Sequence, residues 1–573
     1  CRTSDNNGVN WSDIKDVAVG NGQTSATQNY FETAYGDPAI VADRTSNEVA
    51  IFVVAGCTVY ANNKTTRQNP NMIGVIRSTD NGNTWGTPEN ITEQIYSLFD
   101  NGNPIQSAFI AGGKVFQSRI VKVGNYYRLY AAMCARPNGN RVIYSDDFGR
   151  TWLPLGGEFA LPVPNGDEPK CEELPDGRVI VSSRVGGGRY YNIFTYTNTA
   201  SATGSWQSQT LATLAQGSNA TNGEILIVPV VRNSDSKEMY LALQSLPAAT
   251  DGTRKKVTIF YKELTSFEDY NTVTNFASSW NGSYVVTNET SAYSSMDLQA
   301  DNKIAFIYEK NYTSFGRVAN PVSTCFPNGE GDHGYDGYDN TYVSYNLEYI
   351  TNGAYTVKPN VNRGEIVKGY LTTLVEQSTE TADVKAELKT KIAEFGDNPT
   401  TAQVDAIYSV LYADPWDGKV VTFTNVQSNG DKRALYINGS NVLSLGTTSQ
   451  TAESLGASAQ FLCIKQANGK YTFRNIATNN YMIYRNQDNP ADATVKGAND
   501  NKGTLSTYDA TYCDWTLGDG SGTKAGTYYL VIEAKKNSAG KYTGNYSGKT
   551  DIITINVVSS KSAVSNAKVT VNK

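Results

Sequence analysis

The chain has 573 residues, enough for more than one domain, and a formal net charge of −6. This mildly acidic balance argues against a nucleic-acid partner, and no apolar run approaches the length of a membrane span. The 37 tyrosines and 50 glycines favour a secreted protein rich in β-strands and turns.

A phrase of eight residues, S-x-D-x-G-x-T-W, recurs along the first part of the chain. It is complete at residues 78–85 and 145–152, and residues 4–11 carry a loosened copy with Asn in the Asp and Thr positions. Asp and Gly at this spacing predict a tight turn, because the carboxylate accepts backbone N–H groups and Gly adopts positive φ. Apolar runs precede both complete copies, so each copy predicts a connection between two strands. Trp206 and Trp280 end what we interpret as eroded copies.

The wide spacing of these copies indicates a repeated supersecondary unit. Sequential four-stranded sheets arranged radially, a β-propeller, would explain it. Strand-like and turn-like segments alternate as far as about residue 357, with residues 342–349 as the last predicted strand. The fold class predicted for residues 1–358 is therefore all-β.

The hydrophobic period changes after residue 358. Apolar residues at helical spacing predict three short helices, and Thr400 with Gln403 forms a capping box before the third. We interpret residues 359–416 as a helical spacer. The apolar positions are Ile366, Val367, Tyr370, Leu371 and Leu374; Val384, Leu388, Ile392 and Phe395; and Val404, Ile407 and Leu411.

Short strands return in residues 417–573, which predict a β-rich accessory domain. The predicted strands are 420–424, 434–437, 471–474 and 528–532. Residues 461–475 and 515–531 form a faint internal repeat that resembles the repeats of ricin-type β-trefoil lectins, and this resemblance implies carbohydrate binding. A generic β-sandwich is the alternative.

Histidine and cysteine offer little chemistry in this sequence. The single histidine, His333, lies in a glycine-rich loop with no nucleophile beside it, so acid–base chemistry is assigned to carboxylates and tyrosine. The seven cysteines show no C-x-x-C spacing, and we expect buried thiols. We expect neither a metal nor a cofactor.

Ionisable residues stand at the ends of predicted strands in four segments. Residues 168–184 begin with Glu168, end with Arg184 and contain Pro-Asp-Gly, which predicts a hairpin. Arg254 begins a predicted strand. Tyr293 begins another, whose successor ends in Tyr-Glu at residues 308–309.

The repeated phrase and these segments resemble the bacterial exo-sialidases (neuraminidases) over roughly residues 1–358. The resemblance implies a six-bladed propeller, here with an incomplete first blade. It also implies that Tyr293 is the nucleophile and that Glu168 is the base that polarises it. Glu172 and Glu173 compete with Glu168, but the spacing to Arg184 favours Glu168.

The same resemblance assigns the substrate contacts. Arg184 and Arg254 are two members of a carboxylate-binding arginine cluster, although Arg254 could instead lie in an exposed basic turn. Asp37, in a Gly-Asp-Pro segment, contacts the sugar near O4 or the N-acetyl group, with a strand-capping turn as the alternative. Glu309 braces the first arginine of the cluster.

The chemistry of sialic acid accounts for these residue types. Its carboxylate suits arginine forks, and a neutral tyrosine approaches an anionic sugar more easily than a carboxylate does. A neighbouring glutamate takes the phenol proton, and sialidases are known exceptions to two-carboxylate glycosidases. The reaction implied is hydrolysis of terminal sialic acid with retention, through a glycosyl–tyrosine.

Two family features are not found in the sequence: the Arg-Ile-Pro arginine and the acid/base aspartate, which both precede the first repeated phrase. We therefore expect an N-terminally truncated fragment that is inactive or nearly so. Sialylated glycans or glycoproteins are the expected partners of a monomeric protein that is secreted, periplasmic or on the cell surface. A non-catalytic sialoglycan-binding propeller and a trans-sialidase remain alternatives.

Overall fold

The computed structural model divides into two compact units, Cys1–Tyr412 and Ala413–Lys573. In the described part of the chain, no helix is both long enough and apolar enough to cross a membrane. The structure describes all residues except 24–27, 57–64, 101–103, 138, 215–220, 315–335, 414–416, 418–419, 427–431, 440–442, 467–470, 483–515, 519–528, 532–551, 559–567 and 572–573.

The first two sheets of the first unit come from ten strands. One sheet has the order β4-β3-β2-β1-β6, and the other has the order β10-β9-β8-β5 with β7 also paired to β8. The elements are a 3-10 helix (Phe31–Thr33), β1 (Tyr35–Ala42), β2 (Val49–Ala55), β3 (Met72–Ser78), β4 (Glu89–Asn90), α1 (Thr92–Tyr96), a 3-10 helix (Ser97–Phe99), β5 (Ser107–Ile110), β6 (Gly113–Lys114), β7 (Phe116–Val123), β8 (Tyr126–Arg136), β9 (Gly139–Ser145) and β10 (Leu153–Pro154).

Three further sheets complete the β part of this unit. Their orders are β11-β12-β13-β14 with β15 on β13, then β19-β18-β17-β16-β23, and finally β20-β21-β22. The elements are β11 (Pro169–Glu173), β12 (Val179–Val185), β13 (Gly188–Asn198), β14 (Thr203–Trp206), β15 (Thr210–Thr213), β16 (Ile225–Arg232), β17 (Lys237–Pro247), β18 (Val257–Leu264), a 3-10 helix (Phe267–Asp269), α2 (Val273–Ala277), β19 (Gly282–Val285), β20 (Ser291–Leu298), β21 (Ile304–Ser314), β22 (Asp336–Tyr345), α3 (Leu347–Ile350) and β23 (Tyr355–Val357).

Each sheet shares its hydrophobic core with the next sheet along the chain. Trp152, only 3% exposed, packs edge-on against Phe52 and joins the first two sheets. Ile193 and Ile227 lie in one core cluster between the third and fourth sheets. The prediction of a mostly β protein is confirmed, while the blade count stays a prediction.

The three copies of the repeated phrase adopt one kind of turn. In both complete copies the Asp carboxylate accepts hydrogen bonds from the backbone N and the Oγ1 of the Thr four residues later. These distances are 2.8 and 2.6 Å for Asp80 with Thr84 and for Asp147 with Thr151. Asn6 of the loosened copy accepts a backbone N–H four residues later at 2.9 Å. The phrase is thus a local structural device, as its chemistry predicts.

One predicted strand differs from the structure. Residues 342–349 were expected to be a single strand, but β22 ends at Tyr345 and α3 follows. Leu347 and Ile350 lie three positions apart and both are buried in the core of the last two sheets. Because helical spacing buries both side chains on one side, tertiary packing favours a helical turn here.

The three helices predicted after residue 358 form in the structure. They are α4 (Gly364–Gln377), α5 (Ala382–Ala393) and α6 (Thr401–Leu411). Thr400 and Gln403 make the reciprocal capping box expected before α6. The buried faces of the helices share a core cluster with the second and third sheets, so the helices lie within the first compact unit. The domain boundaries at residues 358 and 416 stay predictions.

The second unit contains short strands, as the sequence indicates. One sheet has the order β26-β25-β24-β27-β28, with β31 paired to β24 and β32 to β31, and β29 pairs with β30. The trefoil stays a prediction. The elements are β24 (Val420–Val426), β25 (Lys432–Ile437), β26 (Leu443–Leu445), α7 (Ala452–Leu455), a 3-10 helix (Gly456–Ala459), β27 (Phe461–Lys465), β28 (Tyr471–Asn475), β29 (Thr516–Gly518), β30 (Tyr529–Val531), β31 (Ile552–Val558) and β32 (Lys568–Val571).

The structure describes four of the seven cysteines and does not describe the histidine. Cys134 and Cys171 are buried free thiols, Cys463 is buried, and Cys1 is exposed. His333 and three further cysteines lie outside the described residues.

Candidate active site

A β-hairpin places Glu168 beside Arg184. Glu168 immediately precedes β11, and Pro169 pairs with Ser183 at the far end of β12. The turn closes at Gly177, whose φ of +95° suits glycine. The hairpin register therefore sets the two side chains next to each other, and Arg184 Nη1 donates a hydrogen bond to Glu168 Oε2 at 2.6 Å.

The side chain of Tyr293 reaches this pair from the last sheet. Its hydroxyl donates to Glu168 Oε1 at 2.8 Å, and Arg184 Nη1 donates to the same hydroxyl at 3.2 Å. Tyr293 sits where the β20–β21 register shifts, between Ser291 and Ser294. Such irregularities re-aim a side chain relative to regular strand alternation. The sequence-predicted tyrosine, glutamate and arginine are thus in direct contact.

Two other carboxylates on β11 do not reach the tyrosine. Glu172 forms an ion pair with Arg119 at 2.6 Å. Glu173 accepts hydrogen bonds from Ser118 Oγ and from the backbone N of Arg119. The spacing argument that favoured Glu168 over these two residues therefore agrees with the geometry.

Arg254 also lies at the tyrosine, although not at the start of a strand. Its guanidinium carbon is 5.6 Å from the centre of the Tyr293 ring. The β17–β18 pairing begins only at Val257, because Lys256 has a φ of +60° that interrupts the extended backbone. The prediction that Arg254 begins a strand is wrong, because a short turn separates Arg254 from β18. Arg254 nevertheless lies beside Tyr293.

Glu309 accepts a hydrogen bond from the backbone N of Tyr293 at 3.1 Å. It therefore contacts the backbone that carries the tyrosine. The role expected for it, support of a further arginine, stays a prediction.

A cavity of about 950 Å³ exposes this group to solvent, and Asp37, Glu168, Tyr293 and Glu309 line it. Asp37 has a φ of +44° although a proline follows, a backbone conformation that is unfavourable for such a residue. Strain of this kind is frequent at functional sites, because the surrounding structure must hold it in place.

Burial and neighbouring charges shift the pKa values of Tyr293, Arg184 and Asp37. Desolvation, and next the charge of Glu168, raise the pKa of Tyr293 above its ordinary value, so the phenol is neutral at physiological pH. Desolvation opposes the charge of Arg184, but Glu168 and Asp167 outweigh it and raise the pKa of the guanidinium. Partial desolvation in the cavity and then the charge of Glu168 raise the pKa of Asp37.

The sequence did not indicate Asn222, which also lines the cavity. Its Nδ2 donates to the carbonyl of Gly112 at 2.9 Å, and its buried Oδ1 has no hydrogen-bond partner among the described residues. Asn222 precedes β16 in a segment without periodicity or a recognisable motif. Only the three-dimensional structure brings it to the site.

The arrangement can perform nucleophilic chemistry next to an anionic group. A neutral phenol donates to a carboxylate that is placed to take its proton, at a distance suited to proton transfer. A guanidinium contacts both partners and can stabilise negative charge.

Comparison with known proteins gives one match in sequence. Over 190 residues, 32% of this chain, the sequence is 34% identical to a sialidase from Micromonospora viridifaciens. The match spans only 27% of that relative's length. No family model matches the chain.

Solved structures with a similar backbone also carry the name sialidase or trans-sialidase. A Hadza microbial sialidase is 19% identical, with a TM-score of 0.43 over 61% of this chain and 59% of its own. The intramolecular trans-sialidase from Ruminococcus gnavus is 15% identical, with a TM-score of 0.42 over 62% of this chain and 88% of its own. The curated relative confirms the resemblance of this chain to the bacterial sialidases.

Proposed function

We propose that this chain carries the site of an exo-sialidase, which hydrolyses terminal sialic acid from glycoconjugates with retention. The observation that supports the proposal most is the hydrogen bond of 2.8 Å from Tyr293 Oη to Glu168 Oε1, with Arg184 in contact with both groups. A phenol, a carboxylate and a guanidinium in mutual contact suit a substrate whose own carboxylate lies beside the reacting carbon.

In the proposed reaction, Arg184 and Arg254 bind the carboxylate of the sugar. Glu168 takes the proton of Tyr293, and the phenolate oxygen forms a bond to the anomeric carbon as the bond to the leaving oxygen breaks and that oxygen takes a proton from solvent. Water then attacks the anomeric carbon, the bond to the tyrosine oxygen breaks, and sialic acid is released; the phenolate regains its proton from Glu168, and the proton lost by the water returns to solvent. Asp37, which lines the cavity, contacts the sugar near O4 or the N-acetyl group in this proposal.

We also infer that the five sheets of the first unit are blades of a β-propeller. Each sheet follows its neighbour in the chain and shares a hydrophobic core with it. The site residues come from the third, fourth and last sheets, together with Asp37 of the first. Residues from sheets remote in the chain converge when sheets surround a central axis.

Cleavage of a fluorogenic sialoside by the full-length protein and by its Glu168→Gln variant tests the proposal. Loss of the base should lower kcat/KM by about 10²- to 10⁴-fold. The control is Glu173→Gln, which neutralises a buried carboxylate on the same strand that contacts Ser118 instead of Tyr293. This control should retain the activity of the wild-type protein.

Product analysis separates the alternatives. Release of free sialic acid supports hydrolysis, and appearance of sialyllactose when lactose is added would indicate transfer. Sialoside binding without turnover by the full-length protein would contradict the enzyme proposal and favour a binding module.

A further inference from the structure

A layer of buried charge lies directly beneath the Tyr293–Glu168 pair. Lys170 is the second residue of β11, and Glu168, which precedes that strand, is one of its electrostatic neighbours. Lys170 is 2% exposed, and its Nζ lies 3.8 Å from Oε2 of Glu224, which is fully buried. Neither residue belongs to the reaction proposed above.

The same carboxylate is bound from the strand that carries the tyrosine. Ser295, two residues after Tyr293 on β20, donates from Oγ to Glu224 Oε2 at 2.8 Å. Glu224 thus lies between β20, which carries Tyr293, and β11, which begins directly after Glu168.

The backbone of Glu224 is held firmly. Its N donates to Ser245 Oγ at 3.0 Å, and its carbonyl accepts from Ser245 N at 2.9 Å and from Gln244 Nε2 at 3.0 Å. These bonds anchor Glu224 to β17. The backbone from which the carboxylate projects is therefore held in place.

Desolvation lowers the pKa of Lys170, and the charges of two carboxylates, Glu224 and then Glu168, oppose this shift. The next carboxylate on the strand, Glu172, is already engaged by Arg119 at 2.6 Å and by Lys114 at 3.7 Å. A buried ammonium without a nearby anion is costly, so Lys170 needs one of its two neighbours. If Glu224 did not balance this charge, Glu168 would be the remaining partner.

Lys170 has little room to move elsewhere. Its Nζ donates to the carbonyl of Gly112, and a Cβ on Gly113 would come within 2.5 Å of that Nζ. Glycine at position 113, with a φ of +116°, keeps this space open. The ammonium therefore lies between the Glu224 carboxylate and the Gly112–Gly113 backbone.

We propose that Glu224 is a positioning residue of the active site, which retains Lys170 in the lower layer and so leaves Glu168 free to accept the proton of Tyr293. This inference rests on the proposed function for its catalytic meaning. The structural part of the inference, the position of Lys170, can be tested without any substrate.

Crystal structures of the wild-type protein and of Glu224→Gln test this placement directly. The amide keeps the size of the side chain and removes its charge. In the variant we expect Lys170 Nζ within hydrogen-bond distance of Glu168, and a Tyr293 Oη to Glu168 distance beyond about 3.5 Å. A Tyr293–Glu168 bond unchanged from the wild-type structure would overturn the inference.

A double variant separates charge balance from simple stability. Lys170→Met removes the cation that Glu224→Gln leaves unbalanced, so the combined variant should regain the wild-type Tyr293–Glu168 distance. Against a fluorogenic sialoside, Glu224→Gln should lower kcat about 10- to 100-fold with KM nearly unchanged, and the double variant should recover part of this loss. If the loss of kcat in the double variant equalled the combined losses of Glu224→Gln and Lys170→Met alone, the inference would be contradicted.

The readouts also distinguish two kinds of failure. A full-length wild-type protein that does not cleave sialosides would contradict the proposed function, while the crystal structures would still decide the role of Glu224. Active wild-type protein with an equally active Glu224→Gln variant would contradict this inference alone. Glu173→Gln, a buried carboxylate on the same strand, is the matched control and should leave both readouts unchanged.

Discussion

Replacement of Arg184 by lysine should weaken binding of ligands that carry the sialic acid carboxylate. Arg184 Nη1 already contacts Glu168 at 2.6 Å and Tyr293 at 3.2 Å. A guanidinium can hold these groups and a substrate carboxylate together, whereas an ammonium is a point donor without a fork. Loss of one charge-assisted hydrogen bond, about 1.5–3 kcal/mol, corresponds to roughly 10- to 150-fold weaker binding.

Titration calorimetry with 2,3-dehydro-N-acetylneuraminic acid and with its methyl ester measures this effect. The wild-type protein should prefer the acid, and Arg184→Lys should lose affinity for the acid by the factor above but much less for the ester. Arg150→Lys is the control, because Arg150 pairs with Glu48 in a repeated turn. Equal losses for the acid and the ester would refute a direct contact between Arg184 and the carboxylate.

Two further predictions concern stability. Asp147→Asn should lower stability by about 1 kcal/mol at pH 7, because the amide keeps one acceptor for Thr151 and loses the other. Despite desolvation, hydrogen bonds from Thr151 lower the pKa of Asp147, so its stabilisation is present above the unfolded pKa and is lost as the pH falls through the folded one. Thermal melts should thus show the difference between variant and wild type shrinking below about pH 4; an unchanged difference would contradict this reading. Thr400→Ala should lower the free energy of unfolding in urea by about 0.5–2 kcal/mol, because α6 loses its N-cap. Thr400→Ser keeps the hydroxyl and should be less destabilising; equal losses in the two variants would contradict the capping role.

Local chemistry explains what the sequence predicts well. The repeated turns depend on an Asp and a Thr four residues apart, and the α6 cap depends on Thr400 and Gln403. Glu168 and Arg184 belong to one hairpin, so their proximity follows from a turn and a strand register. Each of these features is decided within about twenty residues of chain.

Contacts between distant parts of the chain are harder to predict from the sequence. Tyr293 could be placed on a strand, but its contact with Glu168 joins the last sheet to the third, which local sequence does not indicate. The Lys170–Glu224–Ser295 layer joins β11, β20 and the residue before β16, which are far apart in sequence, and no motif marks it. The apolar faces of α4–α6 predicted helices, yet periodicity does not say which sheets those faces contact.

Backbone irregularities account for the remaining differences. The left-handed φ of Lys256 delays the start of β18, so Arg254 lies in a turn. The positive φ of Asp37 before a proline contradicts local preference and depends on tertiary structure. Asp37 lines the candidate site and Lys256 lies two residues after Arg254, and functional sites are where local rules are most often broken.

Covalent trapping tests the central claim most directly. A fluorinated sialyl fluoride forms a glycosyl–enzyme adduct that hydrolyses slowly, and mass spectrometry of the digested full-length protein identifies the modified peptide. The account predicts an adduct on Tyr293 that is absent from Tyr293→Phe and present in Tyr349→Phe, whose tyrosine is 65% exposed on α3. An adduct on another residue, or full sialoside turnover by Tyr293→Phe, would contradict it.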